Sequence, residues 1–277
     1  MKKIIVPIDF SQYSEFALET AAIMAKKNDA EIIALHMLEM STNMLVDSGD
    51  DQQMQTVFFL KLAEKKFNEF LERDYLKDVK VTPVVKHFKV FREVNDVATE
   101  HNADLIVMGS HGASGLSEIF VGSNTEKVVR HSVVPVLIVK QKPVNVQFET
   151  VVFACDFSEA MIEPYVKACQ FFENSNSNLK LLYVNLPGER FKNSAEMEST
   201  VAKFLEKVDG NLNKINDIHY ISDYTVEDGV LAFANLIGAD LIAVPTHGRR
   251  GISHFFSGSI GEDIANHSTL PVITFKI

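Results

Sequence analysis

The chain has 277 residues, 46% of them hydrophobic, which is enough for two ordinary cores. Its formal net charge of −10 argues against a nucleic-acid partner, because binding to a phosphate backbone relies on clustered Lys and Arg. Two cysteines, Cys155 and Cys169, are too few for a disulfide framework and form no Cys-x-x-Cys zinc motif, so both read as small apolar fillers.

In chain order, short continuous apolar runs alternate with longer segments of helical spacing, the pattern of parallel strands buried on both faces and separated by helices. The apolar run behind Lys2 and Lys3 is cut by Pro7 and Asp9, too soon for a signal-peptide core. Strands are predicted near 3–8, 31–37, 79–87, 104–108 and 134–139, and helices near 12–27, 51–73, 91–101 and 123–131. A polar stretch containing Pro143 then reads as a linker over 141–148, separating a first domain, 1–140, from a second, 149–277. In the second domain strands are predicted near 150–155, 179–184, 217–221, 240–244 and 271–276, with helices near 159–173, 194–214, 225–237 and 259–266. Thr225 and Asp228 open one of these helices as a capping-box-like pair. No stretch approaches the roughly 18 to 20 apolar residues of a membrane span, so a cytoplasmic protein without membrane contact is expected. The fold class is α/β, two five-stranded doubly wound parallel sheets flanked by helices.

The two halves are copies of one module. Gly109, His111, Gly112, Gly115, Gly122 and Ser123 reappear, slightly altered, as Pro245, His247, Gly248, Gly251, Gly258 and Ser259. Ala103-Asp104-Leu-Ile matches Ala239-Asp240-Leu-Ile, and His131-Ser132-x-x-Pro135-Val136 matches His267-Ser268-x-x-Pro271-Val272 at the same offset. At the starts of the halves, Ile4 to Ser11 reads against Val151 to Ser158 at a longer offset, so the second copy is shorter between Met37 and Ala103. A period this long denotes two complete globular units rather than a solenoid. The extra length of the first copy falls beyond Met37, around Ser41 to Asp51, where a methionine-bearing loop reads either as a lid or as a plain surface loop.

In open sheets of this type ligands bind outside the carboxyl ends of the strands, where strand order reverses. Asp9, Met37 and Gly109 each follow a predicted strand and share that rim; Asp156, Val184 and Pro245 share it in the second half. Glycines at 109, 112 and 115 permit positive φ and leave main-chain N–H groups uncovered, and Gly122-Ser123 stands just before a helix whose positive end favours an anion. The same residues also serve simple turns, with Ser123 as a helix cap. The loop is neither a dinucleotide fingerprint nor a Walker loop.

This arrangement resembles the universal stress protein family, whose nucleotide-binding members carry Gly-x-x-Gly-(x9)-Gly-Ser/Thr after the fourth strand. Here that pattern is Gly109, Gly112, Gly122 and Ser123, and the likeness extends to Val6-Pro7-Ile8-Asp9-Phe10-Ser11, Leu35-His36-Met37 and Pro135-Val136-Leu137-Ile138-Val139. The resemblance implies two tandem flavodoxin-like or Rossmann-like domains that bind an adenine nucleotide, ATP or AMP, with or without Mg. It implies that Asp9 lies beside the adenosine, with Pro7 also in the site, that the main chain of Met37 meets the adenine edge, and that Gly109, Gly112, Gly122 and Ser123 hold the phosphates, with Asn124 next to them. Asp9 also reads as a strand-end residue satisfied by local N–H groups.

In the second half Asp156, Val184, Gly248, Arg249, Gly258 and Ser259 take the corresponding places, with Pro245 removing an N–H and Arg249 and Arg250 offering charge. His111 and His247 are expected to tie the loops to nearby backbone, and His131 and His267 to meet terminal helix carbonyls. No catalytic residue and no metal ligand is assigned. The resemblance further implies pairing of the halves through their last strands into an intramolecular pseudo-dimer, and it is compatible with a homodimer of whole chains. The function expected is a stress-response or regulatory nucleotide binder. A slow ATPase or nucleotide-transferring enzyme and a non-nucleotide interaction module are the alternatives.

Overall fold

In the computed structural model, which describes residues 1–38, 50–87, 90–111, 122–144, 146–173, 175–246 and 260–277, the apolar runs become strands covered on both faces. Ile4, Ile5, Ile32, Leu105, Leu182 and Ile242 have no exposed surface. The first half runs β1 (Lys3–Ile8), α1 (Gln12–Asn28), β2 (Glu31–Leu38), α2 (Asp50–Leu71), β3 (Val81–His87), α3 (Val90–Glu100), β4 (Leu105–Gly109), α4 (Ser123–His131) and β5 (Val136–Val139). The second runs β6 (Thr150–Ala154), α5 (Ile162–Glu173), β7 (Asn178–Asn185), α6 (Ser194–Val208), β8 (Ile218–Ser222), α7 (Val226–Leu236), β9 (Leu241–Thr246), α8 (Ile260–His267) and β10 (Val272–Lys276).

The strands form one sheet in the order β3-β2-β1-β4-β5-β10-β9-β6-β7-β8. Within each half every neighbouring pair is parallel, as right-handed crossovers through helices require. β5 and β10 meet antiparallel, with Leu137 opposite Ile273 and each flanking pair related by the same pseudo-twofold. A buried Thr274 hydroxyl reaches across this seam to the Val136 carbonyl at 3.4 Å.

Several repeated residues are explained by local anchoring. Asp104 accepts from the Lys3 N–H at 2.9 Å, and Asp240 accepts from the Thr150 N–H at 2.9 Å, so in both halves this acid fixes the start of one central strand to the next. Ser132 accepts from the Val134 N–H at 3.1 Å and donates to its carbonyl at 2.7 Å; Ser268 does the same with Leu270, at 3.0 Å for both bonds. That knot delays β5 to Val136, later than the predicted 134.

Other boundaries move for equally local reasons. The predicted helix over 194–214 stops at Val208, where Gly210 turns to φ 68°. The predicted helix at 159 opens with a 3-10 turn, Glu159–Met161, before α5. The Thr225–Asp228 pair forms one half of a box, with Thr225 accepting from the Asp228 N–H at 3.0 Å, while a full reciprocal box forms at Asn193 and Glu196. The linker is less polar in place than its sequence suggests, since Val146 and Phe148 are buried. Among the described residues, no helix is long and apolar enough to cross a membrane.

Candidate functional site

Strand order reverses between β1 and β4, so the crevice between their carboxyl ends is the place where an open sheet accommodates a ligand. Across it the last registered pair is Ile5 with Ile106, although β4 continues to Gly109. Pro7, in β1, lies beyond that pair and has no N–H to extend the ladder toward β4. In the second half the ladder between β6 and β9 ends at Phe153 with Ala243, and the proline is on the other wall, Pro245 in β9.

Directly after β1, Asp9 accepts from the Ser11 N–H at 3.0 Å, and Ser11 in turn caps α1 by accepting from the Ser14 N–H at 3.1 Å. This turn holds Phe10 at φ 66°, a conformation costly for a side chain of that size. The ring is fixed against His36 at 4.4 Å, Phe70 at 5.6 Å and Phe67 at 6.3 Å, and the Lys66 ammonium lies 4.5 Å above it. His36 is buried, with Nδ1 2.8 Å from the Ile8 carbonyl. Burial pushes its pKa below the usual value; the Ile8 carbonyl works the other way. The ring is therefore neutral near pH 7, with Nδ1–H donating to Ile8. Met37, partly buried, follows His36 at the end of β2 beside Lys86 of β3.

The glycine loop is pinned at both ends. The Gly122 N–H donates to the Ser110 carbonyl at 2.6 Å, and the buried Thr125 hydroxyl donates to the Gly109 carbonyl at 2.9 Å. Gly122 is the N-cap of α4 and supplies no side-chain acceptor to the first turn, so Ser123 and Asn124 begin a helix whose leading N–H groups lack that usual cap. Gly112 and Gly115 lie outside the described residues.

Gly109 departs from the sequence expectation. It belongs to β4 and is not among the positive-φ glycines. A Cβ there would meet the backbone and Cβ of Tyr13 at 2.7 Å, so the glycine is required by the close approach of α1. His111 differs too: its Nδ1 shares a hydrogen bond with the Ser110 hydroxyl at 2.9 Å rather than with backbone, and its ring packs 4.9 Å from Tyr13. Its Nε2 is buried with no partner among the described residues. His131 meets the Lys127 carbonyl of its own helix at 2.7 Å, as expected, whereas His267 pairs with Glu227 of α7.

The second half repeats the turn with altered surroundings. Asp156, buried, accepts from the Ser158 N–H at 2.9 Å; Phe157, at φ 55°, stacks on Tyr183 at 6.0 Å and meets Phe204 edge-on at 5.4 Å. Tyr183 thus stands where the first half has His36. Burial pushes the adjacent Cys155 thiol well up, which keeps it protonated and unreactive. Val184 is buried beneath α7, where a Cβ on Gly229 would fall 2.8 Å from its Cγ1. Asn185 closes the shorter connection, donating to the Lys192 carbonyl at 2.9 Å and accepting from the Lys192 N–H at 3.1 Å. His247, Gly248, Arg249, Gly258 and Ser259 lie outside the described residues. Among the described residues no group of three or more His, Cys, Asp or Glu side chains is placed to hold a metal.

Tyr13, Thr125, Phe10 and Lys66 were not singled out in the sequence. Only Phe10 carried a signal, its recurrence as Phe157; Thr125 has no counterpart, since the second copy has Gly261 there.

Two doubly wound halves with matched crevices and a shared ten-stranded sheet define a tandem flavodoxin-like protein. The sequence profile of the universal stress protein family matches residues 1–140 and again 147–276, and the chain belongs to that family. A universal stress protein of Methanocaldococcus jannaschii is 32% identical over 155 residues, covering 51% of this chain and 96% of its own length. A second from the same organism is 29% identical over 140 residues, covering 50% and 82%. The crystal structure of a universal stress protein from Archaeoglobus fulgidus superposes with a TM-score of 0.70 at 24% identity, covering 99% of this chain and 98% of the other, a likeness of fold.

Proposed function

We propose that the first half binds an adenine nucleotide, ATP or AMP, in the crevice between β1 and β4, and that the chain serves as a stress-response regulator rather than as a dedicated enzyme. One observation carries this reading. The Gly122 N–H bonded to the Ser110 carbonyl and the Thr125 hydroxyl bonded to the Gly109 carbonyl hold the start of α4, which has no side-chain cap from Gly122, beside the strand-order reversal. An N-terminus left without a side-chain acceptor suits a phosphate, which supplies both acceptor oxygens and negative charge. Asp9 and the main chain of Met37 stand on the same rim and suit the ribose and base. Mg would arrive with ATP and neutralise part of its phosphate charge.

The second crevice supports weaker binding. Pro245 removes a main-chain donor, and Val184 is packed beneath α7, so the base-side wall is already filled by protein. The two halves work as one intramolecular pseudo-dimer through β5 and β10.

The reading is tested by denaturing freshly purified chain and identifying released small molecules by mass spectrometry, together with thermal unfolding in ATP, AMP and each with Mg. Bound nucleotide, or stabilisation of about 2.7 kcal/mol once ligand reaches a hundred times its Kd, is expected. An empty protein that gains nothing from millimolar nucleotide would overturn it. Phosphate release that scales with protein and is lost in Asp9→Ala, with binding retained, would move the function to an ATPase.

A further inference from the structure

The helix that starts at each proposed anion site ends at the seam between the halves, and there it meets the opposite half. α4 runs from Ser123 to His131, and its Arg130 carbonyl accepts from the Lys276 ammonium at 3.3 Å. α8 runs from Ile260 to His267, and its Asn266 carbonyl accepts from the Lys140 ammonium at 2.6 Å. Lys140 directly follows β5 and Lys276 closes β10, so the two contacts are the same contact made in opposite directions.

The topology dictates this crossing. α8 passes into β10 through the Ser268–Leu270 knot, which leaves its C-terminus beside the start of β10. Because β10 runs antiparallel to β5, the start of β10 lies alongside the end of β5, where Lys140 emerges. The mirror argument puts Lys276 at the end of α4. The last carbonyls of a helix lack partners within it, and a cation there is favoured by the helix dipole. Both ammonium groups are partly withdrawn from water, and burial lowers the pKa of each. A cation held in such a place contributes more to orientation than an exposed one.

We propose that Lys276 is a positioning residue for the first half's nucleotide site and Lys140 for the second half's, each holding the anion-site helix of the other half by its C-terminal carbonyl. The inference rests on the nucleotide reading above and goes beyond it by making each site incomplete without the other half's last strand. Lys276 touches no ligand. It sets where the N–H groups of Ser123 and Asn124 stand, from the far end of a rigid nine-residue helix.

The test uses the full chain, wild type and with Lys276→Met, Lys140→Met and Lys276→Arg. Methionine keeps the apolar stem and removes the charge. Two measurements are made on each: ATP affinity by calorimetry with Mg, and amide hydrogen exchange at residues 127–132 and 263–268. Lys276→Met is expected to lose protection at the end of α4 only and to weaken first-half binding about three- to tenfold, a typical effect of one helix-terminal charge. Lys140→Met is expected to loosen α8 only and leave first-half affinity within about twofold, and Lys276→Arg to restore binding. Unchanged affinity in Lys276→Met, or equal loosening of both helices in both variants, would overturn the inference while leaving nucleotide binding intact. A wild-type chain that binds no nucleotide would sink the site reading itself, and this inference with it.

Discussion

Leu137 and Ile273 face each other across the only antiparallel pairing of the sheet among the described residues, and they are the same position in the two copies of the module. Pairing of equivalent residues is the signature of a twofold, self-complementary interface, which here is built within one chain. It also covers two strand edges, β5 and β10, whose unpaired backbone groups would otherwise be open to association. The seam and the two crevices are consequently linked by short rigid paths, α4 on one side and α8 on the other.

Gly109→Ala is expected to destabilise the first half by about 1–3 kcal/mol, because overpacking forces backbone shifts. The new methyl would meet Tyr13 backbone at 2.7 Å. Urea unfolding of the wild type and variant without any ligand measures this. A variant of unchanged stability would return Gly109 to the role expected from sequence, an opening for ligand alone.

Thr125→Val removes the donor to the Gly109 carbonyl while keeping nearly the same volume. A loss of about 1–2 kcal/mol is expected, since a buried carbonyl is left with one bond fewer. Nucleotide affinity should fall with it, because this bond holds the first turn of α4 to the end of β4. Affinity that stays level while stability drops would separate the hydroxyl from the site.

His36 makes the first half acid-sensitive. Its folded pKa lies below the ordinary 6.5, chiefly through burial. As pH falls below 6.5 the unfolded chain takes up a proton that the folded ring resists, so stability declines with falling pH through that window. His36→Tyr, the residue the second copy uses at Tyr183, should flatten the difference in thermal midpoint between pH 7 and pH 5. Equal slopes in the two proteins would show that His36 does not titrate with folding.

Lys140 acts at the opposite end of the scale. Burial lowers its pKa from 10.5 to about 8. Between those values the unfolded chain keeps a proton that the folded chain has released, so stability rises with pH there. Lys140→Met should lose that rise. Denaturant midpoints at pH 7.5 and pH 10 decide the matter, and parallel behaviour of wild type and variant would count against it.

Three substitutions thus have separable signatures: stability without ligand for Gly109, acid sensitivity for His36, alkaline sensitivity for Lys140. Asp104→Ala and Asp240→Ala offer an internal comparison, since both acids anchor the same strand junction at 2.9 Å. Asp240→Ala is expected to cost about 1 kcal/mol, the usual worth of one such bond, and Asp104→Ala more, because Asp104 also accepts from the Lys2 N–H; equal costs in urea unfolding would show that the second bond adds nothing.

What the amino-acid order determined by itself was whatever is encoded within a few residues or repeated outright. The apolar runs specified ten strands, the central ones buried, because a parallel sheet covered on both faces needs no polar alternation, while the edge strands β3 and β8 stay partly exposed. The duplicated Asp104/Asp240 and Ser132/Ser268 motifs marked the halves, and the family likeness marked the crevice. Only the tertiary structure decided matters that join residues far apart. Tyr13 against Gly109, Thr125 against the Gly109 carbonyl, Val184 beneath Gly229 and the crossed contacts of Lys140 and Lys276 all depend on how elements approach one another. The need for glycine at 109 to clear Tyr13 of α1 was invisible in the sequence, since periodicity reports which face a residue occupies but carries no record of what is packed against it.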